Sequence, residues 1–598
     1  MNIMTNKITK IFAAGILSCS LAAMFTSCDD ILETENSRDL SNYELSQKTD
    51  SMFMANGILQ TMQQLADVYV LQGEMRGDLV DTTYYTNEQL RQLADFSLSA
   101  TNRYDSAYVY YAVVNNCNYY LAHRDTTLMT GSQSVTLDEY GAVKAIRAWA
   151  YLMLARNYGR VPIFFQPLIR ISDINSINTE SNRKDFKEIL QLLIADLESL
   201  PDAARVRPSY GTIACGTTNA GQTKTALSKL CYIPVDVILG ELNLELGNYP
   251  EAVKYYTKYL IDNRITTGNR RAPVSTQWLS EPFIAPIDYS GGVSGNNWSA
   301  FYETLTATDD IITYIPMSVN RLRGTVSQLP QLFGYDFLAT STQTYTDEVQ
   351  VVPSAVYQAL ADSTDYYYSA NTTNTVIKSL KIGDMRRAAT LHRSQDNGQI
   401  AVDKYRTANV VLYRNTTVFL HLAEALNRMG HPDLAFAILK DGIDEELLDA
   451  DYLTDASKEL LQTSTSFLSA NNRTYYAASP KSSYGIHRHG CGFTNGVNSP
   501  YQLDSIVGLK LQETMPQTTA YTKNDTIDAV EDILCDEYAM EFAFEGTRYY
   551  DLCRLARHKN DVQAGRGSQW LADKLSSKHP VVSLEADERN WYLPYPSE

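Results

Sequence analysis

At 598 residues, the chain is long enough for several hydrophobic cores, or for one scaffold with a large embedded subdomain. Its composition, 44% hydrophobic and 20% charged, is ordinary for a soluble globular protein, and its net charge of −18 argues against a nucleic-acid partner, because contact with phosphate would be repulsive. Tyrosine stands out, with 41 residues against 5 tryptophans. A tyrosine ring can stack on an apolar face while its hydroxyl stays hydrated, which suits a polar-ligand surface, but tyrosines also pack helical scaffolds.

Residues 1–27 predict a secretory signal peptide. Two lysines, Lys7 and Lys10, precede an apolar run that is shorter than the roughly 20 residues of a membrane span. The run ends in the sequence FTSC, which resembles the bacterial lipobox, whose cysteine is acylated and becomes the first residue of the mature chain. We therefore predict lipidation of Cys28, palmitate included, and an anchor in the outer membrane. An ordinary cleavage site beside a cysteine is the alternative.

Residues 28–45 predict a flexible, lipidated tether. Asp29, Asp30, Glu33 and Glu35 follow the cysteine directly, and this acidic run resembles the surface-export signal of Bacteroidetes lipoproteins. A solvated tether without that signal would have the same composition. The six later cysteines fit no zinc-binding spacing, so we expect buried free thiols instead of a disulfide framework.

Residues 46–265 predict a helical region. A long polar loop over residues 81–104 carries an aromatic pair, Tyr84 and Tyr85, which is a secondary ligand-binding candidate. Extended chain follows Gly159. The predicted helices cover residues 51–70, 108–123, 138–158 and 185–200.

Two segments predict paired antiparallel helices. Residues 237–262 form two helical runs hinged at residues 247–250, with Gly240 small enough for a close helix contact and Pro250 suited to a first turn. Residues 419–443 repeat the pattern far downstream. Both resemble tetratricopeptide units. Because they are so far apart, we expect a scaffold of helix pairs that carries a large insertion.

Residues 266–404 predict a loop-rich, inserted ligand-binding subdomain that contains short strands. Its sequence DYSGGVSGNNWSAFYE combines turn-forming glycines with a tryptophan flanked by amides. In sugar-binding sites such a ring commonly stacks on the apolar face of the sugar while the amides bond its hydroxyls. A loop tryptophan that fills a small local core is the alternative. The candidate glycan-binding residues here are Trp298, Tyr289, Tyr302, Asn296, Asn297 and Asp288.

Residues 405–598 predict a C-terminal region with the last repeat unit and further loops. Glu537, Glu541 and Glu545 are spaced as one row on a helix and would repel one another without cations, for which Arg548 and Arg554 are the nearest candidates in the sequence. The same carboxylates could form a glycosidase acid/base pair, although their apolar neighbours favour a structural role. His487 and His489 lack carboxylates at metal-ligand spacing in the sequence, and no metal or cofactor is predicted.

Several of these segments together resemble the SusD/RagB family. The residues that carry the resemblance are GEMRGD at 73–78, RAWAYLMLARNYGRVPIFFQPL at 147–168, DMRR at 384–387 with KY at 404–405, which match the short strand pair of the family, and WYLPYPSE at 591–598. The C-terminal spacing Glu-x3-Glu-x3-Glu-Gly-x-Arg-x2-Asp-Leu-x-Arg matches as well, from Glu537 to Arg554. The resemblance implies a mainly α fold, a tetratricopeptide-like scaffold of helix pairs with a loop-rich insertion.

The resemblance also implies a function. It describes a non-catalytic surface lipoprotein that binds oligosaccharide, caps a SusC-like TonB-dependent transporter and delivers nutrient for uptake across the outer membrane. Peptide uptake of the RagB kind is an alternative, as is a secreted glycoside hydrolase on a helical scaffold. A peptide-binding adaptor would use the repeats themselves, with Tyr256 and Tyr413 as contacts. No GxSxG, P-loop, HExxH or dinucleotide fingerprint occurs in the sequence.

Overall fold

A computed structural model of the chain describes its conformation over most of the sequence. The described residues are 45–51, 54–177, 179–217, 223–267, 310–319, 324–336, 344–369, 377–380, 383–394, 397–477, 484–517 and 520–595. The lipidation candidate Cys28 and the six candidate residues between Asp288 and Tyr302 lie outside these ranges.

Helices dominate the described residues. In chain order they are α1 Gln60–Met75, α2 Glu88–Ala94, α3 Ala107–His123, α4 Leu137–Tyr158, α5 Ile171–Ile177, α6 Phe186–Glu198, α7 Val235–Leu246, α8 Tyr249–Asp262, α9 Leu329–Leu332, α10 Ala355–Ser363, α11 Met385–Thr390, α12 Asn415–Arg428, α13 Pro432–Lys440, α14 Asp455–Gln462, α15 Arg473–Ala477, α16 Arg488–Cys491, α17 Leu503–Thr514, α18 Lys523–Glu541, α19 Arg548–Val562 and α20 Arg566–Lys574. None of them combines the length and the apolar composition that crossing a bilayer requires.

The strands of the described residues are short and form two-stranded antiparallel pairs. The strands are β1 Val80–Thr82, β2 Met129–Thr130, β3 Gln133–Ser134, β4 Val161–Pro162, β5 Arg183–Lys184, β6 Thr212–Thr217, β7 Thr223–Leu227, β8 Ile311–Ile315, β9 Tyr335–Asp336, β10 Thr344–Tyr345, β11 Val351–Pro353, β12 Tyr366–Ser369, β13 Ile377–Leu380, β14 Leu391–Arg393, β15 Ile400–Val402 and β16 Val410–Arg414. The pairs are β1–β11, β2–β3, β4–β5, β6–β7, β8–β16, β9–β10, β12–β13 and β14–β15.

The chain divides into two compact units, and the first consists of residues 1–65, 106–208 and 595–598. Within it α4 packs against α3 and α6. The helix α4 ends where Gly159 adopts a positive φ of 67°, as its sequence predicts. Its Gly141 lies so close to the backbone that an added Cβ would come within 1.8 Å of the Ala204 carbonyl oxygen. This close contact holds the segment after α6 against α4.

The second unit consists of residues 66–105 and 209–594 and contains both predicted repeat pairs. Here α7 packs against α8 and α12 packs against α13, while α12 also contacts α8 and α18. The α7–α8 turn has Gly247 at a φ of 78°, and a Cβ on Gly240 would lie 2.4 Å from the Tyr256 ring. The close approach expected at Gly240 is therefore confirmed, and so is the scaffold of paired helices.

Two local predictions were wrong. The predicted loop at residues 81–104 contains β1 and α2, because the Asn87 side chain caps the helix by accepting from the Leu90 N–H and because Leu90 and Leu93 are buried. Residues 384–387 do not form a strand, since the Asp384 carboxylate accepts from the Arg386 N–H and starts α11. The strand pair follows that helix, as β14 and β15.

The six later cysteines are free, as expected. Five are buried and Cys215 is partly exposed. Burial raises the pKa of the Cys117 and Cys231 thiols to about 12, so neither is a reactive thiolate at neutral pH.

Candidate functional site

The turn that carries Tyr84 and Tyr85 is the predicted ligand-binding feature that the described residues include. Tyr84 is 90% exposed and Tyr85 is 48% exposed. Their ring centroids lie 5.5 Å apart at an interplanar angle of 84°. Single exposed apolar side chains are normal on a protein surface, whereas adjacent ones that form a contiguous patch often mark an interaction site. The two rings offer one flat face and one edge to a ligand.

Hydrogen bonds hold this turn in one conformation. The Thr83 and Thr86 hydroxyls donate to the carbonyls of Val349 and Gln350, respectively. The Thr83 N–H donates to the Thr86 hydroxyl at 2.7 Å, and the Tyr85 N–H donates to the Thr83 hydroxyl at 3.1 Å. The backbone that presents the two rings is therefore tied both to itself and to the segment before β11.

Arg91, on α2, fixes the same turn from the other side. Its Nε donates to the Thr86 carbonyl at 3.0 Å, and its Nη2 donates to the carbonyls of Thr83 and Tyr84. The guanidinium thus satisfies three carbonyls of one turn. A loop that is ordered before binding loses less conformational entropy when a ligand arrives, which favours affinity.

The row of C-terminal glutamates has a different character, because it is buried and fully ion-paired. Arg386 bonds Glu537 at 2.5 Å and Glu541 at 3.0 Å. Arg414 bonds Glu541 at 2.9 Å and Glu545 at 3.1 Å, and it also contacts Asp310 at 3.0 Å. Lys404 bonds Glu545 at 2.5 Å. Cations alternate with the carboxylates, which removes the repulsion expected from the sequence.

The predicted partners of that row were wrong. Arg548 forms a two-pronged ion pair with Asp78, at 2.6 and 2.9 Å, and Arg554 bonds Glu424 at 2.8 Å. The reason is that α18 ends at Glu541, and the chain then turns through Phe544 and Gly546, both with positive φ, before α19 begins. This turn separates both arginines from the carboxylates of α18. The sequence signal was a row of like charges that needed cations, but the cations come from distant segments.

Two of these carboxylates have strongly shifted acidities. Burial disfavours the charged form of Glu537, but Arg386 and His487 outweigh it and lower its pKa to about 2. Burial likewise opposes the charge of Glu541, yet His489 and Arg414 hold its pKa well below the ordinary value. A general acid requires the opposite shift. The acid/base role considered for this row is therefore not favoured by its environment.

His487 and His489 reach these same carboxylates. His487 Nδ1 lies 2.7 Å from Glu537 and His489 Nδ1 lies 3.3 Å from Glu541. The sequence did not indicate these histidine–glutamate contacts, because the glutamates lie on α18, 50 and 52 residues further along the chain. The described residues hold no group of three or more His, Cys, Asp or Glu arranged for a metal ion.

The GEMRGD segment at residues 73–78 and the turn that follows α18 pack together and are buried. The Glu74 carboxylate accepts from the Gly546 N–H at 2.7 Å and from the Phe544 N–H at 3.2 Å. Gly73 has no space for a side chain, because a Cβ would lie 1.8 Å from the Gly546 carbonyl oxygen. These contacts, together with the Arg548–Asp78 ion pair, give Gly73, Glu74 and Asp78 structural roles in joining the two segments.

The C-terminal segment matches a known protein family, and the fold of the chain is similar to that of solved structures. Residues 510–598 match the SusD_RagB model, described as the SusD family. A SusD superfamily protein from Bacteroides vulgatus has a TM-score of 0.50 at 14% identity, covering 93% of this chain and 97% of its own. No curated protein matches the chain.

Two further solved structures share the fold. One is described as surface glycan-binding protein A from Bacteroides fluxus, with a TM-score of 0.51 and 12% identity over 92% of this chain and 95% of its own. The other bears the same description, from Bacteroides uniformis, with a TM-score of 0.50 and 16% identity over 91% of this chain and 96% of its own. The chain therefore shares the helical fold of these solved structures, and its C-terminal segment matches the SusD family model.

Proposed function

We propose that this chain is a non-catalytic surface lipoprotein that binds oligosaccharides and delivers them to a SusC-like TonB-dependent transporter in the outer membrane. The observation that carries the proposal is the Tyr84–Tyr85 pair, exposed on a turn that hydrogen bonds hold in one conformation. Aromatic rings that are ordered and solvent-facing can stack against the CH-rich face of a sugar at little entropic cost.

Two further observations support this proposal. The proteins from Bacteroides fluxus and Bacteroides uniformis that share the fold are described as surface glycan-binding proteins. The buried, ion-paired state of Glu537, Glu541 and Glu545 also removes the sequence feature that most favoured a glycoside hydrolase.

The anchoring and the partnership rest on the sequence. Lipidation at Cys28, followed by the acidic tether, would hold the protein at the outer face of the outer membrane. The transporter partnership is what the resemblance to the SusD/RagB family implies. The predicted loop with Trp298, Tyr289, Tyr302, Asn296, Asn297 and Asp288 remains a proposed contact for the ligand.

The test is a glycan array probed with residues 29–598, followed by calorimetry on each glycan that binds. We expect binding without release of shorter products, and we expect the double variant Tyr84→Ala, Tyr85→Ala to weaken it by about 1 kcal/mol or more. Tyr108→Ala is the matched control, because this tyrosine is 45% exposed but lies on α3, in the other unit.

The outcome discriminates among the alternatives. Product release would support a hydrolase, and binding of peptides in place of glycans would support uptake of the RagB kind. Tyr256 and Tyr413 are only 0% and 4% exposed, and this burial does not favour the peptide contacts considered for them. Equal glycan affinity in the double variant and the wild type would refute the role of this turn.

A further inference from the structure

A partly exposed pair of stacked rings lies in the same unit as Tyr84 and Tyr85. Tyr345, in β10, and His392, in β14, have ring centroids 5.4 Å apart and planes within 4° of parallel. Both side chains are partly exposed. Behind them, Tyr335 contacts the Tyr345 ring at 5.4 Å, and its hydroxyl donates to Asp403 at 2.7 Å. The pair is therefore supported from the core while part of it remains open to solvent.

Polar groups that can bond sugar hydroxyls follow both members of this pair closely in the sequence. The Asn397 amide donates to the Asp347 carboxylate at 2.7 Å, and Asp347 is itself exposed. Arg393, also exposed, donates to the Gly398 carbonyl at 3.0 Å. Carboxylate, amide and guanidinium groups together supply both the donors and the acceptors that a sugar ring needs at its edge.

One short segment, residues 345–350, joins the two aromatic pairs. Tyr345 begins it, and its other end bonds the Tyr84–Tyr85 turn through the carbonyls of Val349 and Gln350. The Gln350 side chain also accepts from the Asn87 amide at 2.9 Å. Because each residue advances the chain by at most about 3.6 Å, the Tyr345 backbone lies within roughly 18 Å of the Val349 and Gln350 backbone that bonds this turn.

We propose that the Tyr345–His392 pair is a second sugar-stacking position, and that the ligand is an oligosaccharide long enough to contact both aromatic pairs. This inference rests on the proposed function and deepens it, because it sets a minimum length for the ligand. A single sugar would occupy one pair only, whereas a longer chain would gain contacts at the second.

The test measures affinity as a function of oligosaccharide length. Size series from laminarin, xylan, mannan and starch are titrated by calorimetry against residues 29–598, together with any series that the glycan array identifies. We expect His392→Ala to weaken binding of the long oligosaccharides by roughly three- to ten-fold, the range that an aromatic pair contributes, and to leave the shortest bound ones unchanged. His392→Phe, which retains a ring, is expected to restore the affinity.

The matched control is His123→Ala, because His123 is also a partly exposed histidine stacked on a tyrosine, 4.3 Å from the Tyr119 ring, but lies in the other unit. If His392→Ala lowers the melting temperature, His392→Gln replaces it, since it removes the ring and keeps a polar side chain. Unchanged affinity for long oligosaccharides in the ring-less variant overturns this inference alone. A wild-type protein that binds no oligosaccharide overturns the proposed function as well.

Discussion

Replacing Arg386 with methionine tests whether the buried charge row holds the C-terminal region together. The side chain of Arg386 is 1% exposed and contacts three carboxylates, those of Asp384, Glu537 and Glu541. Methionine keeps most of the volume and removes the charge. The substitution therefore leaves three buried carboxylates with one cation fewer.

The expected cost follows from these contacts. Removing one partner of a buried ion pair leaves an uncompensated charge and typically costs about 3–5 kcal/mol. The lowered pKa of Glu537 gives a stabilising free energy of similar size. Its pKa of about 2, against an ordinary 4.5, corresponds to about 3 kcal/mol of stabilisation, which is present above the unfolded-state value and is lost as the pH falls from 4.5 toward 2.

Urea unfolding, followed by circular dichroism, measures this cost. We expect Arg386→Met to lower the free energy of unfolding by about 3–5 kcal/mol at neutral pH. The difference from wild type should narrow near pH 4, because the Glu537 pKa rises without Arg386, so that protonation relieves the uncompensated charge. Arg393→Met, at an exposed arginine, is the control and should change stability by less than about 0.5 kcal/mol.

Two results would refute this reasoning. A loss below about 1 kcal/mol at neutral pH would mean that the row contributes little beyond packing. An equal loss at neutral and acidic pH would mean that the carboxylates around Arg386 are not the cause.

Three further predictions concern the helix pairs, the loop predicted around Trp298 and the lipid anchor predicted at Cys28. Gly240→Ala should destabilise the protein by about 1–3 kcal/mol in thermal melting, since its Cβ would lie 2.4 Å from the Tyr256 ring. The control Gly508→Ala, which has open space in the interior of α17, should stabilise the protein by about 0.5–1 kcal/mol. A loss of stability in both variants would contradict the close helix contact as the cause. Trp298→Ala should weaken glycan binding by at least about 1 kcal/mol in calorimetry, and unchanged affinity would exclude its loop as the main contact. Cys28→Ala should abolish fatty-acid labelling and shift the protein from the membrane fraction to the soluble fraction, so a variant that stays in the membrane fraction would exclude Cys28 as the anchor.

The helix pairs were predictable because their signals are local. Leu239 and Leu242 repeat at helical spacing, Gly247 ends one helix, and Pro250 lies in the first turn of the next. The failures occurred where a short polar segment gains its structure from caps and burial. Residues 81–104 are the example, since Asn87 and two buried leucines form α2 within an apparently polar loop.

The candidate site was less predictable. The sequence indicated Tyr84 and Tyr85 as an aromatic pair, but it did not show that Arg91 and Gln350 hold their turn in place. Nor did it indicate Tyr345 and His392, because these residues occupy separate strands and neither segment has a distinctive pattern.

The two repeat-like helix pairs and the need to neutralise three aligned glutamates could be inferred from the sequence, since each depends on residues a few positions apart. Which cations neutralise these glutamates depends on the folded chain, because Arg386, Arg414 and Lys404 come from segments more than a hundred residues upstream of their partners. The nearer arginines, Arg548 and Arg554, were drawn to Asp78 and Glu424 instead. A buried charge is satisfied by whichever opposite charge the fold places within bonding distance, and proximity along the chain does not fix that choice.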